Sequence, residues 1–137
     1  MADFNSDIGK MILLRLRDEE IVWLTTVDAV STPQPRPVWF HWDGETVMIL
    51  SRANAAKIRH IRRNPAVALN FNTDEEGGNV AVIIGKAEIA PGLPEERRQP
   101  YLEKYQAGIR DLGMTPDEML QEYSMVILVR PEAVRGF

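Results

Sequence analysis

Between Arg52 and Arg63 the chain carries Arg52, Lys57, Arg59, Arg62 and Arg63 with no acidic residue among them. The protein as a whole has a formal net charge of −4, so this local reversal of sign is informative. Arg52 and Lys57 fall near the opening of a helix expected from Ala53 to Arg63. There the free backbone N–H groups and the positive end of the helix dipole favour an anion. Ser51 adds a hydroxyl donor. The pattern suits a phosphate group, and a helix this short cannot turn all of its cations to one spot. A solvated basic helix face is the competing reading, and it fits Arg62 and Arg63 better than Arg52 and Lys57.

A second stretch, Gln34 to Trp39, alternates prolines with other residues: Pro33, Pro35 and Pro37 flank Gln34 and Arg36. Such prolines hold the backbone extended and leave peptide groups unpaired by a neighbour. An edge of this kind can offer N–H and C=O groups to the rim of a planar ring, with side-chain contacts from Gln34 and Arg36. Simple protection of a sheet edge competes with that reading. Taken together, the two stretches describe a site for a phosphorylated, flat, redox-active cofactor.

Other chemistry is sparse. His41 stands alone on a strand and His60 on the charged helix, and a satisfied or surface histidine is the expected role for each. No histidine–carboxylate cluster has metal-ligand spacing, and no GxSxG, phosphate-loop or GxGxxG signature is present. The chain has no cysteine, which excludes disulfides, thiolate catalysis and cysteine metal sites. No catalytic residue and no metal ligand is nominated. Tyr101, Tyr105 and Tyr123 are candidates for the substrate side, without a motif to place them.

The elements that must position these residues follow from local pattern. Asp7 to Arg17 reads as a helix started by Ser6 or Asp7. Glu20 to Val27 reads as a strand, and Arg36 to Trp42 as the next. In that second strand Val38, Phe40 and Trp42 share one face, which favours a core role for Trp42; Trp39 faces the other way, toward a pocket or a subunit contact. Asp43-Gly44 signals a two-residue hairpin returning through Glu45 to Ser51. Asn64-Pro65 stops the basic helix, and Ala66 to Asn72 is again a strand. Asn79 to Ala90 is a long strand apolar on both sides, which needs cover on both faces: a barrel interior on one, a subunit interface on the other. Glu95 to Gln106 is a polar helix, broken by Gly108 to Gly113. Thr115-Pro116-Asp117-Glu118 opens another helix, and Tyr123 to Arg130 is the last strand, ended by Pro131. Strands joined in sequence by turns imply a mainly β, antiparallel, Greek-key-like barrel with flanking helices.

At 137 residues, with 45% hydrophobic and 26% charged side chains, the chain fits one cofactor-binding domain spanning 1–137. The acidic balance argues against a nucleic-acid partner. The apolar runs are too short for a membrane span, and the N-terminus lacks an apolar signal core. A cytoplasmic protein is expected.

The run from Ile21 to Phe71 resembles the split β-barrel flavin-binding superfamily that includes pyridoxamine phosphate oxidase. More closely, it is similar to the small bacterial flavin- or deazaflavin (F420)-dependent oxidoreductases. The shared pattern is an LTTVD strand and turn, a PxxxPVWFxWDG hairpin, a strand ending in a small hydroxyl and a base, and AxKxRxxRRNPxVAL from Ala55 to Leu69. The resemblance implies a cofactor ring against Gln34, Arg36, Pro37, Val38 and Trp39. It places the phosphate at Ser51, Arg52 and Lys57, with Ala56 beside them. It also implies a homodimer with the site at the subunit interface, and hydride transfer to or from a small organic substrate. The chain lacks the C-terminal extension that recognises a pyridoxal-type substrate, so oxidation of pyridoxamine phosphate is not expected. Coenzyme F420 ends in a long acidic tail that Arg59, Arg62 and Arg63 would screen, which favours F420, with flavin mononucleotide (FMN) the alternative. A non-catalytic flavin, F420 or haem carrier on the same barrel is the rival class.

Overall fold

The computed structural model describes residues 2–137. Its elements in chain order are α1 (Asp7–Asp18), β1 (Val22–Val27), β2 (Pro33–Val38), β3 (His41–Trp42), β4 (Val47–Ser51) and α2 (Ala56–Arg63). They continue with β5 (Ala66–Asn70), β6 (Ala81–Ala90), α3 (Glu95–Lys104), α4 (Gln106–Asp111), α5 (Pro116–Glu122) and β7 (Met125–Gly136). The strands form one sheet in the order β2-β1-β5-β6-β7-β4-β3, with every neighbouring pair antiparallel. The two edge strands, β2 and β3, are joined only by Trp39 and Phe40. Ends that close in sequence force the sheet to curl on itself. The result is a mainly β, half-barrel architecture flanked by helices.

Strand periodicity explains the core. Val22, Leu24 and Thr26 of β1 are buried, while the alternating Trp23, Thr25 and Val27 are half-exposed. The curled interior gathers Leu24, Phe40, Leu69, Ile83, Ile127 and Val129, closed by Ile12 and Leu16 of α1 and Ile58 and Ile61 of α2. β4 is buried along its whole length because it is covered twice. Val47 and Ile49 face the interior. Met48 and Leu50 face a second cluster with Tyr101, Tyr105, Ile109 and Met119 from α3, α4 and α5. The helical layer thus lies on the outer side of β4 and β7. On β6 the apolar outer face is confined to Val82 and Ile84, which are half-exposed; Lys86 and Glu88 follow on the same side.

Four sequence expectations need correction. The strand expected over Arg36 to Trp42 is broken at Trp39–Phe40, because that point crosses from one sheet edge to the other. The hairpin after it has a four-residue connection, Asp43 to Thr46, since Trp42 pairs with Val47; Asp43 Oδ1 accepts from the N–H groups of Glu45 and Thr46 at 2.9 and 2.8 Å and holds it. Gly108 does not break a helix. It lies inside α4, where a Cβ would come within 2.9 Å of the Trp39 ring, so its small size serves a tertiary contact. Finally, β7 runs through Pro131 to Gly136. A register shift at Ile84/Gly85, opposite Pro131, makes a bulge in which a residue without an N–H loses no ladder bond.

Candidate functional site

The sequence around the crossover builds the site. β2 pairs with β1 in the register Val22↔Val38 to Val27↔Pro33. Prolines cannot donate, so the ladder bonds must run through Gln34, Arg36 and Val38. The carbonyls of Pro33, Pro35 and Pro37 therefore face the open edge, and the edge offers acceptors there without the matching N–H donors. After Val38 the chain turns at Trp39, whose ring stacks on Tyr105 at 4.6 Å with an interplanar angle of 2°. The Tyr105 hydroxyl accepts from the Phe40 N–H at 2.8 Å and lies 2.8 Å from both the Phe40 and Glu20 carbonyls, which share its one proton. Burial pushes this phenol's pKa up, keeping it a donor. Lys104 Nζ donates to the Phe40 carbonyl at 3.1 Å and sits 3.7 Å over the Phe40 ring. The crossover is thereby fixed from α3.

A cavity of about 370 Å³ opens beside this corner. Pro37, Val38 and Trp39 line one wall. Leu50 of β4 and Ile21 add apolar surface; Tyr101, Leu112, Met119 and Tyr123 form the wall from the helical layer. Its charged lining residue is Lys57, the second residue of α2. Burial first, and then the nearby Arg36 guanidinium, lower the Lys57 pKa from the usual lysine value. Among the described residues no carboxylate forms an ion pair with Lys57. Two cations thus repel one another without a counter-ion, an arrangement that an anion relieves. The helix opening beside them is uncapped: Ala55 precedes it without a side-chain bond, and its first turn holds no acid.

The structure brings together Pro37, Val38, Trp39 and Lys57 in this cavity, with Arg36 close enough to act on Lys57. The other predicted positions stand differently. Gln34 Nε2 donates to Asp28 Oδ2 at 3.1 Å, at the far end of β2. Arg36 is exposed and donates to its neighbour's carbonyl at Pro35, 2.7 Å. Ser51 is buried, and its hydroxyl donates to the Arg52 carbonyl at 3.0 Å. Arg52 is paired with Glu122 at 2.7 Å and lies over the Tyr123 ring at 5.2 Å. Ala56 is exposed at the first position of α2. Arg59 and Arg63 are exposed, and Arg62 lines a separate cleft with Glu88 and Ser124. Leu50, Leu112, Met119 and Ile21 carried no sequence signal, and Tyr101 and Tyr123 carried only their residue type.

Both histidines have partners away from the cavity. Arg97 is 4% exposed and donates through Nε to His41 Nδ1 at 3.1 Å. It also donates to Thr46 Oγ1 at 2.7 Å and pairs with Asp43 at 3.2 Å, clamping α3 to the β3–β4 connection. Burial, then Arg97 and Lys104, lower the His41 pKa against a smaller opposing effect of Asp43. His60 Nδ1 lies 2.8 Å from Thr26 Oγ1. Among the described residues no group of three metal-binding side chains converges, and no helix is long and apolar enough to cross a membrane.

Comparison with solved structures gives the same architecture. A Listeria innocua protein named for its likeness to pyridoxamine 5'-phosphate oxidase is 25% identical with a TM-score of 0.67, covering 92% of this chain and 94% of that one. An F420 reductase is 27% identical with a TM-score of 0.64, covering 84% and 88%. The haem storage protein HutZ of Vibrio cholerae, at 18% identity and a TM-score of 0.67 over 96% and 95%, shares the fold alone. A search of curated protein sequences returns no match. The pyridoxamine 5'-phosphate oxidase family matches residues 10–137, nearly the whole length, and the chain belongs to that family.

Proposed function

We propose that this chain is a homodimeric oxidoreductase that holds coenzyme F420 between the β2 edge and the helical layer and serves hydride transfer to or from a small organic substrate. FMN is the alternative cofactor. The observation that carries this reading is Lys57, without a carboxylate partner among the described residues, lining a cavity walled by Pro37, Trp39, Tyr101 and Tyr123. A phosphate at the opening of α2 answers the charge, and a tricyclic ring suits the slot between Pro37–Trp39 and the tyrosines. The 27% identity to an F420 reductase supports the deazaflavin. The exposed Arg59, Arg62 and Arg63 leave a cationic track outside the cavity for an acidic tail.

The deazaflavin or flavin supplies the hydride chemistry when bound. The chain's own residues bind and orient. Lys57, with Arg36 near it, would anchor the anion, and the outward Pro37 carbonyl would serve as an acceptor for the ring. Trp39, fixed by Tyr105, sets the wall, while the buried Met119 keeps water from the helical side. The half-exposed apolar patch of Trp23, Ala68, Val82 and Ile84 is the surface for the second copy. A haem reading finds less support, since His41 and His60 are engaged by Arg97 and Thr26 and neither lines the cavity.

The test is a fluorescence titration of purified protein with F420 and with FMN, followed by turnover of the reduced form against a panel of small acceptors. Micromolar or tighter binding of F420, weaker binding of FMN, and oxidation of reduced F420 are expected. Binding of neither cofactor overturns the reading; binding without turnover on any acceptor favours a carrier.

A further inference from the structure

Arg52 follows β4 just before α2, and Glu122 is the last residue of α5. Their side chains meet at 2.7 Å, and both are largely in solvent, at 55% and 43% exposure. The guanidinium also covers the Tyr123 ring, and Tyr123 lines the cavity that Lys57 enters. Glu122 gains nothing from its own helix. A carboxylate in the last turn faces the negative end of the dipole, and α5 has no basic residue there to offset it. Its favourable contact is Arg52. An ion pair this open to water is weakly held and readily exchanged.

We propose that Glu122 is an internal stand-in for the ligand's anion: it holds Arg52 beside the cavity wall in the free protein and yields it to an incoming phosphate group. The ligand's identity rests on the cofactor reading above; the exchange does not. A neutral ring lacks the charge to compete for the guanidinium. A phosphate bound beside Lys57, which lines the same cavity as Tyr123, adds that cation to the guanidinium, where Glu122 has Arg52 alone. Glu122 therefore acts as a charge filter, favouring ligands that carry a phosphate over neutral relatives of the same ring. Because Arg52 also rests on Tyr123, its transfer changes the cover of the cavity's helical wall.

The test compares wild type, Glu122→Gln, Arg52→Ala and the double variant in titrations with FMN, riboflavin and inorganic phosphate. Glu122→Gln is expected to tighten FMN and phosphate roughly two- to fivefold, as an exposed pair allows, and to leave riboflavin unchanged. The gain should vanish in the Arg52→Ala background. Unchanged or weaker phosphate and FMN binding in Glu122→Gln overturns the proposal. So does equal tightening of riboflavin, a gain that survives without Arg52, or no phosphate or FMN binding in any variant. Phosphate binding with the expected pattern, with neither FMN nor F420 bound, leaves the exchange standing and removes the cofactor reading instead.

Discussion

Replacing Lys57 by methionine separates ligand binding from folding. The substitution keeps the apolar stem against the cavity wall and removes the charge. That charge is poorly placed within the fold itself: burial and Arg36 both lower the pKa of Lys57, and no carboxylate among the described residues forms an ion pair with it. Taking it away should leave thermal stability unchanged or raise it by a few degrees, on the order of 1 kcal/mol or less for a chain of this size. Ligand binding should respond in the opposite sense. A charge-assisted hydrogen bond to a phosphate contributes about 1.5–3 kcal/mol, so affinity for F420 and FMN should fall roughly 10- to 150-fold. Riboflavin, without the phosphate, should be nearly indifferent. The assays are quenching of cofactor fluorescence and a thermal melt on the same preparations. Unchanged FMN affinity, or a fall in melting temperature that accounts for the loss, would refute the assignment of Lys57 as the anion anchor.

Three further outcomes follow from other parts of the fold. Tyr105→Phe removes the hydroxyl that satisfies the buried Phe40 N–H; it should cost about 1–3 kcal/mol in urea unfolding, and an unshifted midpoint would show that the crossover is held otherwise. His41 has a folded-state pKa lowered from 6.5 by burial and by Arg97, so the folded form binds its proton less well than the unfolded chain. Its contribution is complete above about pH 6.5 and is lost as pH falls through the lower folded value; His41→Gln should therefore flatten the acid side of the stability curve, measured by urea midpoints at several pH values, and an unchanged slope would count against the Arg97 clamp. Ile84→Glu places a charge on the apolar outer face of β6 and should shift the protein to monomer in analytical ultracentrifugation; a persistent dimer would move the interface elsewhere.

What the sequence made legible was local. Ser6 accepts from the Gly9 N–H at 3.0 Å to start α1, and Thr115 with Glu118 forms the full capping box that its spacing announces. The prolines at 33, 35 and 37 lie on an edge strand because no interior strand tolerates the lost donors. Features that depend on closure of the sheet were not legible. Nothing near Trp39 and Phe40 signals that the chain there changes edges, since the cause is Tyr105, far along the chain in another element. Gly108 looks like a breaker until Trp39 packs against it, and Pro131 looks like a stop until the bulge beside it in β7 breaks the regular ladder there. The same limit applied to the cavity. Lys57 and the Pro37–Trp39 edge could be named from charge and spacing, whereas Leu50, Leu112, Met119 and Tyr123 reach the cavity only after the helices fold over β4. Arg52 shows the reverse case, a cation marked by its neighbours in sequence and paired by a glutamate from α5.

The most direct measurement is a crystal structure of the protein with FMN or F420 soaked in. The account predicts ring density along Pro37 to Trp39, with the phosphate within hydrogen-bond reach of Lys57 Nζ at the opening of α2. A cofactor seated elsewhere, or a phosphate turned away from Lys57 into solvent, would contradict it.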